Sequence, residues 1–455
     1  MFPLMTLKYH ILTYGCQMNY SDTERVMTVL EKMGYEYAKH YGQADLIILN
    51  TCMVKKSAES RIYGLGEPFE KLKKENPRLK IGITGCMIQK ETGLRGESNE
   101  PVFRQLSCID FVFRIKDLIH LPDMLHKIHH IGGATPDGGQ ADEVSEMTSY
   151  FQISPKITNL TQVFIPIMSG CNNFCSYCIV PYSRGRNESR TMADVLDEVK
   201  KMAKRGATEV NFVGQNVNTY EPTDADPNSS DSPFAQLLRR VDAIPGIRRI
   251  RFYTVHPQDM GDDVIALYGK LKSMVPHLHL PVQSGSNSCL KRMNRHYSVE
   301  RFKELVKKMR AKFPEMSIST DIITGFCGET DEEFEGSLNL IKDCKIDLVY
   351  VSKYSERPNT LAAKSLKDDV PFEVKKERFE RITAAMKKMS GEYLKQFVGK
   401  TVEVLVEKVE KGYASGKIPE FKLCRFKADD PKLVGQYANV KVDKAMEWCL
   451  EGEPV

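Results

Sequence analysis

The chain has 455 residues, 41% of them hydrophobic and 27% charged, with a net charge of +5, so we expect a globular protein of two or three domains. No apolar run reaches the roughly 18 residues of a membrane span, and residues 1–8 lack the segments of a secretory signal, which predicts a cytoplasmic protein without a membrane partner. In that compartment twelve cysteines indicate metal or redox chemistry rather than disulfides.

Three apolar runs near the N-terminus each stop at a cysteine. The runs are residues 9–16, 44–52 and 80–86, and the cysteines are Cys16, Cys52 and Cys86. These runs predict buried strands, and a capping box formed by Ser21 and Glu24 predicts the start of the first intervening helix. Each cysteine interval matches one βαβ unit with parallel strands. We therefore expect the three thiols at the carboxyl ends of parallel strands, where open α/β sheets bind ligands.

Ordinary buried core cysteines are the alternative. A core cysteine can fall anywhere along a strand, so three at the same end favour a shared site. Three thiolates would hold an incomplete iron–sulfur site, because such clusters normally take four. Cys108, which precedes a fourth strand expected at residues 109–113, is interpreted as a free thiol.

The glycine-rich residues 132–139 predict a linker between an N-terminal α/β domain at 6–130 and a central domain at 157–387. In the central domain, strand-like runs alternate with amphipathic helical patterns. The six runs are residues 162–168, 209–214, 248–254, 277–282, 317–325 and 348–354. Six βα units, against the eight of a complete parallel barrel, predict an open partial barrel.

The first of these strands is followed by a loop with three cysteines, Cys171, Cys175 and Cys178. Three thiolates in one loop predict an iron–sulfur cluster with one iron open to another ligand. A zinc knuckle would need a fourth Cys or His nearby, which the sequence does not offer, and the compartment disfavours a disulfide framework. The loop is expected on the C-terminal face of the barrel, where barrel enzymes keep their chemistry.

Polar residues at the ends of the later strands are expected to line the same cavity, although a satisfied turn is the alternative at each one. They are Gln215, Asn216, His256, Gln283 and Asp321. Three arginines after the cysteine loop could hold RNA phosphate or be ion-paired, and they are Arg184, Arg186 and Arg190. Cys327 is interpreted as a loop substitution and not as a seventh ligand. Residues 223–232 predict a mobile surface loop.

Residues 390–455 predict a small β-barrel of short strands. The predicted strands are residues 401–407, 413–416, 421–426 and 437–442. From Gly391 onward, 11 Lys and Arg balance 11 Asp and Glu. An RNA-binding face would therefore need segregated charge, such as that of Lys422, Arg425 and Lys427.

The CxxxCxxC loop, with Tyr177 before its last cysteine, resembles the signature of the radical S-adenosylmethionine (SAM) enzymes. The runs YGCQMN, NTC and TGC resemble the N-terminal domain of the methylthiotransferases, and FVGKTVEVLVE resembles a TRAM domain, which binds RNA. The segments GQNVN and HLPVQSGS resemble the branch of that family that modifies N6-isopentenyladenosine in tRNA, more than its relatives.

The resemblance implies a doubly wound N-terminal α/β domain, a radical SAM partial (β/α)6 barrel and a C-terminal TRAM barrel. It implies a 4Fe-4S cluster that binds SAM on Cys171, Cys175 and Cys178, and an auxiliary 4Fe-4S cluster on Cys16, Cys52 and Cys86. It also implies SAM contacts from a further set of residues, which are Tyr177, Gln215, Asn216, Gln283 and Asp321.

The activity implied is that of a tRNA methylthiotransferase. SAM reduction would give a 5′-deoxyadenosyl radical that takes hydrogen from C2 of the adenosine at tRNA position 37, and a methylated sulfur from the auxiliary cluster would then attach there. The implied partners are the tRNA anticodon stem-loop and an electron donor such as flavodoxin or ferredoxin, with the protein a monomer. Three alternatives stay open: action on threonylcarbamoyl-adenosine, action on a ribosomal-protein aspartate, or a non-catalytic iron–sulfur RNA-binding protein.

Overall fold

The computed structural model describes residues 6–53, 56–129 and 149–455, so the predicted linker at 132–139 lies outside the described residues. The chain forms two compact units. The first contains the described residues up to Thr158 together with Ser169–Asn172 and Cys178–Asn187, and the second contains Asn159–Met168, Asn173–Tyr177 and Glu188–Val455. No helix among these residues has the length and apolar character to cross a membrane.

The first unit contains an open, mostly parallel sheet. Its strands are β1 (Lys8–Tyr14), β2 (Glu36–Tyr37), β3 (Leu46–Thr51), β4 (Lys80–Gly85), β5 (Gly93–Leu94) and β6 (Phe111–Val112). Its longer helices are α1 (Gln17–Lys32), α2 (Lys56–Tyr63), α3 (Gly66–Glu75), α4 (Val102–Gln105), α5 (Leu121–His129) and α6 (Val180–Ser183), with short 3-10 helices at Tyr41–Gln43, Ile115–His120 and Tyr150–Gln152.

The strand order is β2-β1-β3-β4-β6-β5, and only the edge strand β5 runs antiparallel to its neighbour. Strand β2 lies on one side of β1, and the next strand in the chain, β3, lies on the other side of β1. The direction in which strands are added to the sheet therefore reverses between β1 and β3. This reversal is the switch point of a doubly wound sheet, the place where such folds bind ligands. The predicted doubly wound domain is confirmed, but β2 was not predicted, and the first cysteine interval is therefore longer than a single βαβ unit.

Strand β3 shows why the sheet has a core on each face. Leu46 and Ile48 belong to one hydrophobic cluster, with residues of α1 and α5, while Ile47 and Leu49 belong to another, with residues of α2 to α4. Alternate residues of a strand point to opposite faces. A strand covered on both faces therefore appears in the sequence as a continuous apolar run.

The predicted start of α1 is wrong. The helix begins at Gln17, and Cys16 occupies its N-cap with Asn19 as the reciprocal partner. Ser21 is buried inside the helix, where it accepts a hydrogen bond from Arg25 at 2.8 Å. The Ser-Glu spacing that indicated a capping box therefore lies one turn too late.

The second unit contains the predicted partial barrel and the C-terminal barrel. Its strands before residue 360 are β7 (Val163–Pro166), β8 (Met168–Ser169, shared with the first unit), β9 (Glu188–Ser189), β10 (Glu209–Val213), β11 (Arg249–Phe252), β12 (His277–His279), β13 (Ser317–Thr324) and β14 (Leu348–Lys353). Its longer helices are α7 (Met192–Lys204), α8 (Pro233–Asp242), α9 (Asp262–Leu267), α10 (Asn287–Arg292), α11 (Val299–Lys312), α12 (Asp331–Asp343), α13 (Leu361–Ser365) and α14 (Phe372–Lys395), with 3-10 helices at Val217–Thr219, Pro257–Asp259 and Pro431–Leu433.

The six predicted strands of the partial barrel are all present. They pair as two parallel three-stranded sheets, β11-β10-β7 and β12-β13-β14. The insert at residues 223–232 lies at the surface, as predicted, and it is hydrogen-bonded to the rest of the unit, while its mobility stays a prediction. Asp224 accepts hydrogen bonds from the first two N–H groups of α7, those of Met192 and Ala193, at 2.6 and 2.9 Å.

The tail forms a closed five-stranded barrel in the order β15-β16-β17-β19-β18. The strands are β15 (Thr401–Glu410), β16 (Tyr413–Lys417), β17 (Leu423–Lys427), β18 (Tyr437–Ala445) and β19 (Cys449–Pro454). The last strand was not predicted. Residues 449–454 read CLEGEP, with little apolar alternation, and they become a strand by pairing with β17 and β18 on either side.

The loop between β16 and β17 packs against the first residues of the partial-barrel strands. Arg249 donates to Lys417 O at 2.8 Å, and Arg251 donates to Pro419 O at 2.9 Å. Phe421 stacks on the imidazole of His277, with ring centroids 4.8 Å apart. The tail is therefore joined to the ends of the barrel strands opposite to those expected to carry chemistry.

Lys422 belongs to this contact, and its predicted role on an RNA-binding face is wrong. Its ammonium is buried against the Asp347 carboxylate, whose side chain is 1% exposed. Arg425 is also paired, with Glu451 on the neighbouring strand. Lys427, at the end of the same strand, is exposed.

We predict that Lys422→Ala lowers the free energy of unfolding by about 3–5 kcal/mol, because it leaves Asp347 as a buried charge without its cation. Lys427→Ala is the matched control, from the strand that begins just after Lys422, and should change the free energy of unfolding by less than about 0.5 kcal/mol. Urea unfolding followed by circular dichroism measures both values. Equal losses for the two variants would contradict the structural role of Lys422.

Candidate functional site

The three N-terminal cysteines lie at the carboxyl ends of neighbouring parallel strands, as predicted. Cys16 follows β1, Cys52 follows β3 and Cys86 follows β4. Cys52 lies between the other two, and its thiol is in hydrogen-bond contact with both. The first two cysteines flank the switch point of the sheet.

The three thiols differ in their acidity. The hydrogen bonds with Cys52 lower the pKa values of Cys16 and Cys86, and the charge of Arg184 lowers them further. The same hydrogen bonds, together with burial, raise the pKa of Cys52. Thiolates are the sulfur ligands of iron–sulfur clusters, so this set of donors fits such a cluster.

The described residues contain no group of three or more His, Cys, Asp or Glu side chains arranged around the position of one metal ion. A four-iron cluster does not need that arrangement, because each thiolate binds a different iron.

Two glycines make the cysteine positions possible. Gly85, before Cys86, has a φ of +92°, and a Cβ at this position would lie 2.3 Å from Thr51 O. Gly170, before Cys171, has a φ of +80°, and a Cβ there would lie 2.0 Å from the backbone oxygen of Arg186. A side chain at either position would meet backbone that cannot move aside, so glycine is required.

A pair of buried asparagines connects the ends of β1 and β3 beside the thiols. Asn19 Oδ1 accepts from Cys16 N–H at 3.2 Å, and Asn19 Nδ2 donates to Asn50 Oδ1 at 3.0 Å. Asn50 in turn donates to Asn19 O at 2.8 Å. The sequence reasoning missed both residues, although each stands close to a cysteine in the runs YGCQMN and NTC.

Arg184 forms the charged part of this site. Its side chain is 2% exposed and bonds Asp22, which is 0% exposed, at 2.5 Å. The Tyr150 hydroxyl donates to the same carboxylate at 2.7 Å. Arg190 is likewise buried, against Glu198 at 2.8 Å. Of the two roles left open for these arginines, the ion-paired one is correct for Arg184 and Arg190.

The second cysteine triad lies in a loop that is divided between the two units. Cys171 and Cys178 belong to the first unit and Cys175 to the second. In the first unit, Cys171 N–H donates to Gly185 O at 3.1 Å. Ile179, which follows Cys178, packs in one hydrophobic cluster with Cys86. The residue after the second triad is thereby in contact with a cysteine of the first.

In the second unit, Cys175 is buried and lies beside Arg295, with Nη1 3.6 Å from its sulfur. The same nitrogen lies 3.4 Å from the hydroxyl of Tyr177, whose ring packs edge-on against Phe326. Cys327 is buried in the same hydrophobic cluster, where burial raises the pKa of its thiol.

The structure brings two of the predicted SAM contacts together. Gln283 has a φ of +74°, and its N–H donates to Asp321 O at 2.8 Å. The Asp321 carboxylate lies 3.6 Å from His279 Nε2. The left-handed backbone at a non-glycine residue marks a constrained position at the end of a barrel strand, as functional positions often are.

Asn216, preceded by Gln215, lies after β10 on the other three-stranded sheet. It is 2% exposed and donates to Asp259 at 2.7 Å, while its Oδ1 has no partner among the residues that the structure describes. Within the same residues, His256 Nε2 is a second buried atom without a partner. Burial and the nearby charge of Arg295 lower the pKa of His256 to about 2, so its imidazole is neutral. Buried polar atoms without partners indicate a place for a polar ligand.

We predict that in iron-free, reduced protein at pH 7 iodoacetamide modifies Cys16 faster than Cys449. Cys16 is exposed with a lowered pKa, whereas burial raises the pKa of the half-buried Cys449, and the thiolate is the reactive form. Cys52→Ala removes the hydrogen bond to Cys16 and should slow its reaction, while Cys108→Ala should not. Peptide mass spectrometry over time measures the rates, and equal rates at Cys16 and Cys449 would contradict the lowered pKa.

Three family models match the chain. They are "Uncharacterized protein family UPF0004" at residues 8–105, the radical SAM superfamily at 165–341 and the TRAM domain at 395–455. Two solved structures of the radical SAM methyltransferase TsrM from Kitasatospora setae share the fold at 14% identity. One, with tryptophan and a SAM analogue bound, has a TM-score of 0.53 over 78% of this chain and 74% of that one. The other, with cobalamin and a [4Fe-4S] cluster, has a TM-score of 0.50 over 94% and 82%.

Curated relatives match almost the whole chain. A protein of Thermoanaerobacter sp. (strain X514) is 40% identical over 99% of this chain and 93% of its own length. One from Acetivibrio thermocellus is 39% identical over 98% and 91%, and one from Clostridium tetani is 38% identical over 98% and 96%. All three are named tRNA-2-methylthio-N(6)-dimethylallyladenosine synthase. Because the matches cover both cysteine triads and the C-terminal barrel, the chain belongs to the tRNA-2-methylthio-N(6)-dimethylallyladenosine synthase family of radical SAM methylthiotransferases.

Proposed function

We propose that this protein is a tRNA methylthiotransferase that adds a methylthio group to C2 of N6-isopentenyladenosine at tRNA position 37. The observation that carries the proposal is a packing contact within the first unit, between the segment that follows Cys178 and the N-terminal triad. Ile179, next to Cys178, packs with Cys86, and Arg184, six residues after Cys178, lies against Asp22 beside Cys16 and Cys86. The N-terminal triad thus belongs to the same unit as Cys171 and Cys178 of the second triad.

We assign the two 4Fe-4S clusters to the two triads, and we assign SAM to the open iron of the cluster on the CxxxCxxC loop. With these groups bound, the site supplies reductive cleavage of SAM and a sulfur for transfer. The chain positions them. For SAM contacts we propose Tyr177, beside Arg295, and the strand-end residues, which are Gln215, Asn216, Gln283 and Asp321.

The neutral His256 and the free oxygen of Asn216 offer a ligand one imidazole nitrogen and one hydrogen-bond acceptor in buried surroundings. Such groups discriminate strongly between ligands, because a ligand that cannot pair with them leaves them unsatisfied. This pair supports a polar organic ligand such as SAM or a nucleoside at this end of the barrel.

Among the described residues, the three tail cations expected to face RNA do not form an open basic patch. We propose that the tail barrel extends the contact with tRNA through its exposed lysines, Lys427 included, while the anticodon loop presents the adenosine, because unpaired loop bases are the RNA elements that proteins read. We further propose a low-potential electron donor such as flavodoxin or ferredoxin, action as a monomer, and the cytoplasm as the location.

We predict that the two triads have separable roles. The triple variant Cys16→Ala, Cys52→Ala and Cys86→Ala should bind about four irons instead of about eight and still cleave SAM to 5′-deoxyadenosine, but should give no methylthiolated product. Cys171→Ala should abolish SAM cleavage, and Cys108→Ala is the control. Iron analysis and chromatography of SAM products measure these effects. Methylthiolated product from the triple variant would refute the assignment of the auxiliary triad.

We also predict that the gene restores 2-methylthio-N6-isopentenyladenosine in cells that lack a methylthiotransferase. Mass spectrometry of nucleosides from bulk tRNA measures the product, with Cys171→Ala as the inactive control. Methylthiolated threonylcarbamoyl-adenosine, or a methylthiolated ribosomal-protein aspartate in its place, would show one of the alternative substrates. Absence of any methylthiolated product, with normal iron content, would favour the non-catalytic RNA-binding alternative.

A further inference from the structure

Arg295, in the turn after helix α10, is buried with 8% of its surface exposed. Its Nη2 donates to Pro281 O at 2.6 Å, and its Nε donates to Tyr297 Oη at 2.9 Å. The remaining nitrogen, Nη1, lies 3.6 Å from Cys175 Sγ and 3.4 Å from Tyr177 Oη. The guanidinium is therefore fixed at two corners, and its third corner points at a thiol.

Arg295 is a buried cation that has no carboxylate partner in the part of the chain that the structure describes. Four other buried arginines lie against carboxylates, and these pairs are Arg184 with Asp22, Arg190 with Glu198, Arg251 with Glu209 and Arg378 with Glu329. A buried charge without a counter-charge is costly. The Cys175 sulfur, once deprotonated as a cluster ligand, is an anion within reach of it.

The turn that presents Arg295 also holds the backbone around Cys175. Met293 O accepts from Ser176 N–H at 2.9 Å, and Asn294 Nδ2 donates to Phe174 O at 2.9 Å. The residues on both sides of the cysteine are thus bonded to one turn. These hydrogen bonds hold the backbone of Cys175 against the turn that carries Arg295. They therefore fix the distance between the buried guanidinium and the sulfur.

We propose that Arg295 is a positioning residue. It donates a hydrogen bond to the Cys175 thiolate and thereby raises the reduction potential of the SAM-binding cluster, an inference that rests on the proposed function. One electron passes to the cluster from a low-potential one-electron donor, and Arg295 keeps its proton throughout. Hydrogen bonds to the sulfurs and nearby charge set cluster potentials. A buried cation stabilises the reduced form, which carries one more negative charge.

The test is a redox titration of anaerobically reconstituted full-length protein, followed by electron paramagnetic resonance with dithionite as the donor. The signal that changes when SAM is added identifies the SAM-binding cluster. The variants are Arg295→Gln and Arg295→Lys. Arg292→Gln is the matched control, because Arg292 lies three residues earlier and its guanidinium bonds Glu333 instead of a thiol.

Arg295→Gln should lower the midpoint potential of the SAM-binding cluster by at least about 59 mV, a tenfold change in the one-electron equilibrium. The auxiliary cluster should keep its potential, and Arg292→Gln should change neither. Arg295→Lys should lie between wild type and Arg295→Gln, because an ammonium keeps the charge but cannot reproduce the fork that spans Pro281 O and the sulfur.

An Arg295→Gln protein with full iron content and the wild-type midpoint would overturn the proposal. If the Arg295→Gln protein loses the cluster, the Arg295→Lys protein provides the test. A wild-type midpoint potential in Arg295→Lys would then overturn the proposal. These potentials are measured without tRNA, so the outcome is separate from the proposed function. If the wild-type protein did not methylthiolate tRNA, its cluster potential and the shift in Arg295→Gln could still be measured.

Discussion

Charge compensation around closely spaced thiols is the constraint on which the N-terminal unit depends. Two thiolates beside one another repel, and burial increases the cost. The protein meets this cost with the shared hydrogen bonds of Cys52 and with Arg184, whose own charge is balanced by Asp22. Because Arg184 follows the second triad in the chain, the balance at the first triad requires residues 178–187 to pack onto the N-terminal sheet.

The second unit uses buried charge in another way. Glu209, at the start of β10, lies 3.2 Å from Arg251, and both side chains are almost fully buried. Arg251 also bonds the backbone of the tail loop, as Arg249 does. The amino-terminal ends of the partial-barrel strands, which face away from the proposed chemistry, thus find hydrogen-bond partners in the C-terminal barrel. A tail with balanced charge is consistent with a domain that has a structural contact as well as an RNA-binding role.

Much of the fold was predictable because its signals are local. Parallel strands covered on both faces leave continuous apolar runs, from which β1, β3 and β4 were predicted, and all six partial-barrel strands were predicted from shorter strand-like runs. Strand β2 was missed because its two residues are too few to show a periodic pattern. Strand β19 was missed because its charged hexapeptide shows none. The helix start at Cys16 was missed because cysteine is an unusual N-cap and a Ser-Glu pair one turn later imitates a capping box.

The sequence alone determined the chemical class of the protein, since the cysteine spacings and their strand-end positions depend only on residue order and strand length. The tertiary structure decided which residues serve those cysteines. Arg184 and Arg295 reach the thiols of Cys86 and Cys175, which lie 98 and 120 positions away along the chain. No local pattern encodes a contact at that separation, because whether an arginine meets a thiolate, a carboxylate or RNA depends on how the chain folds back upon itself.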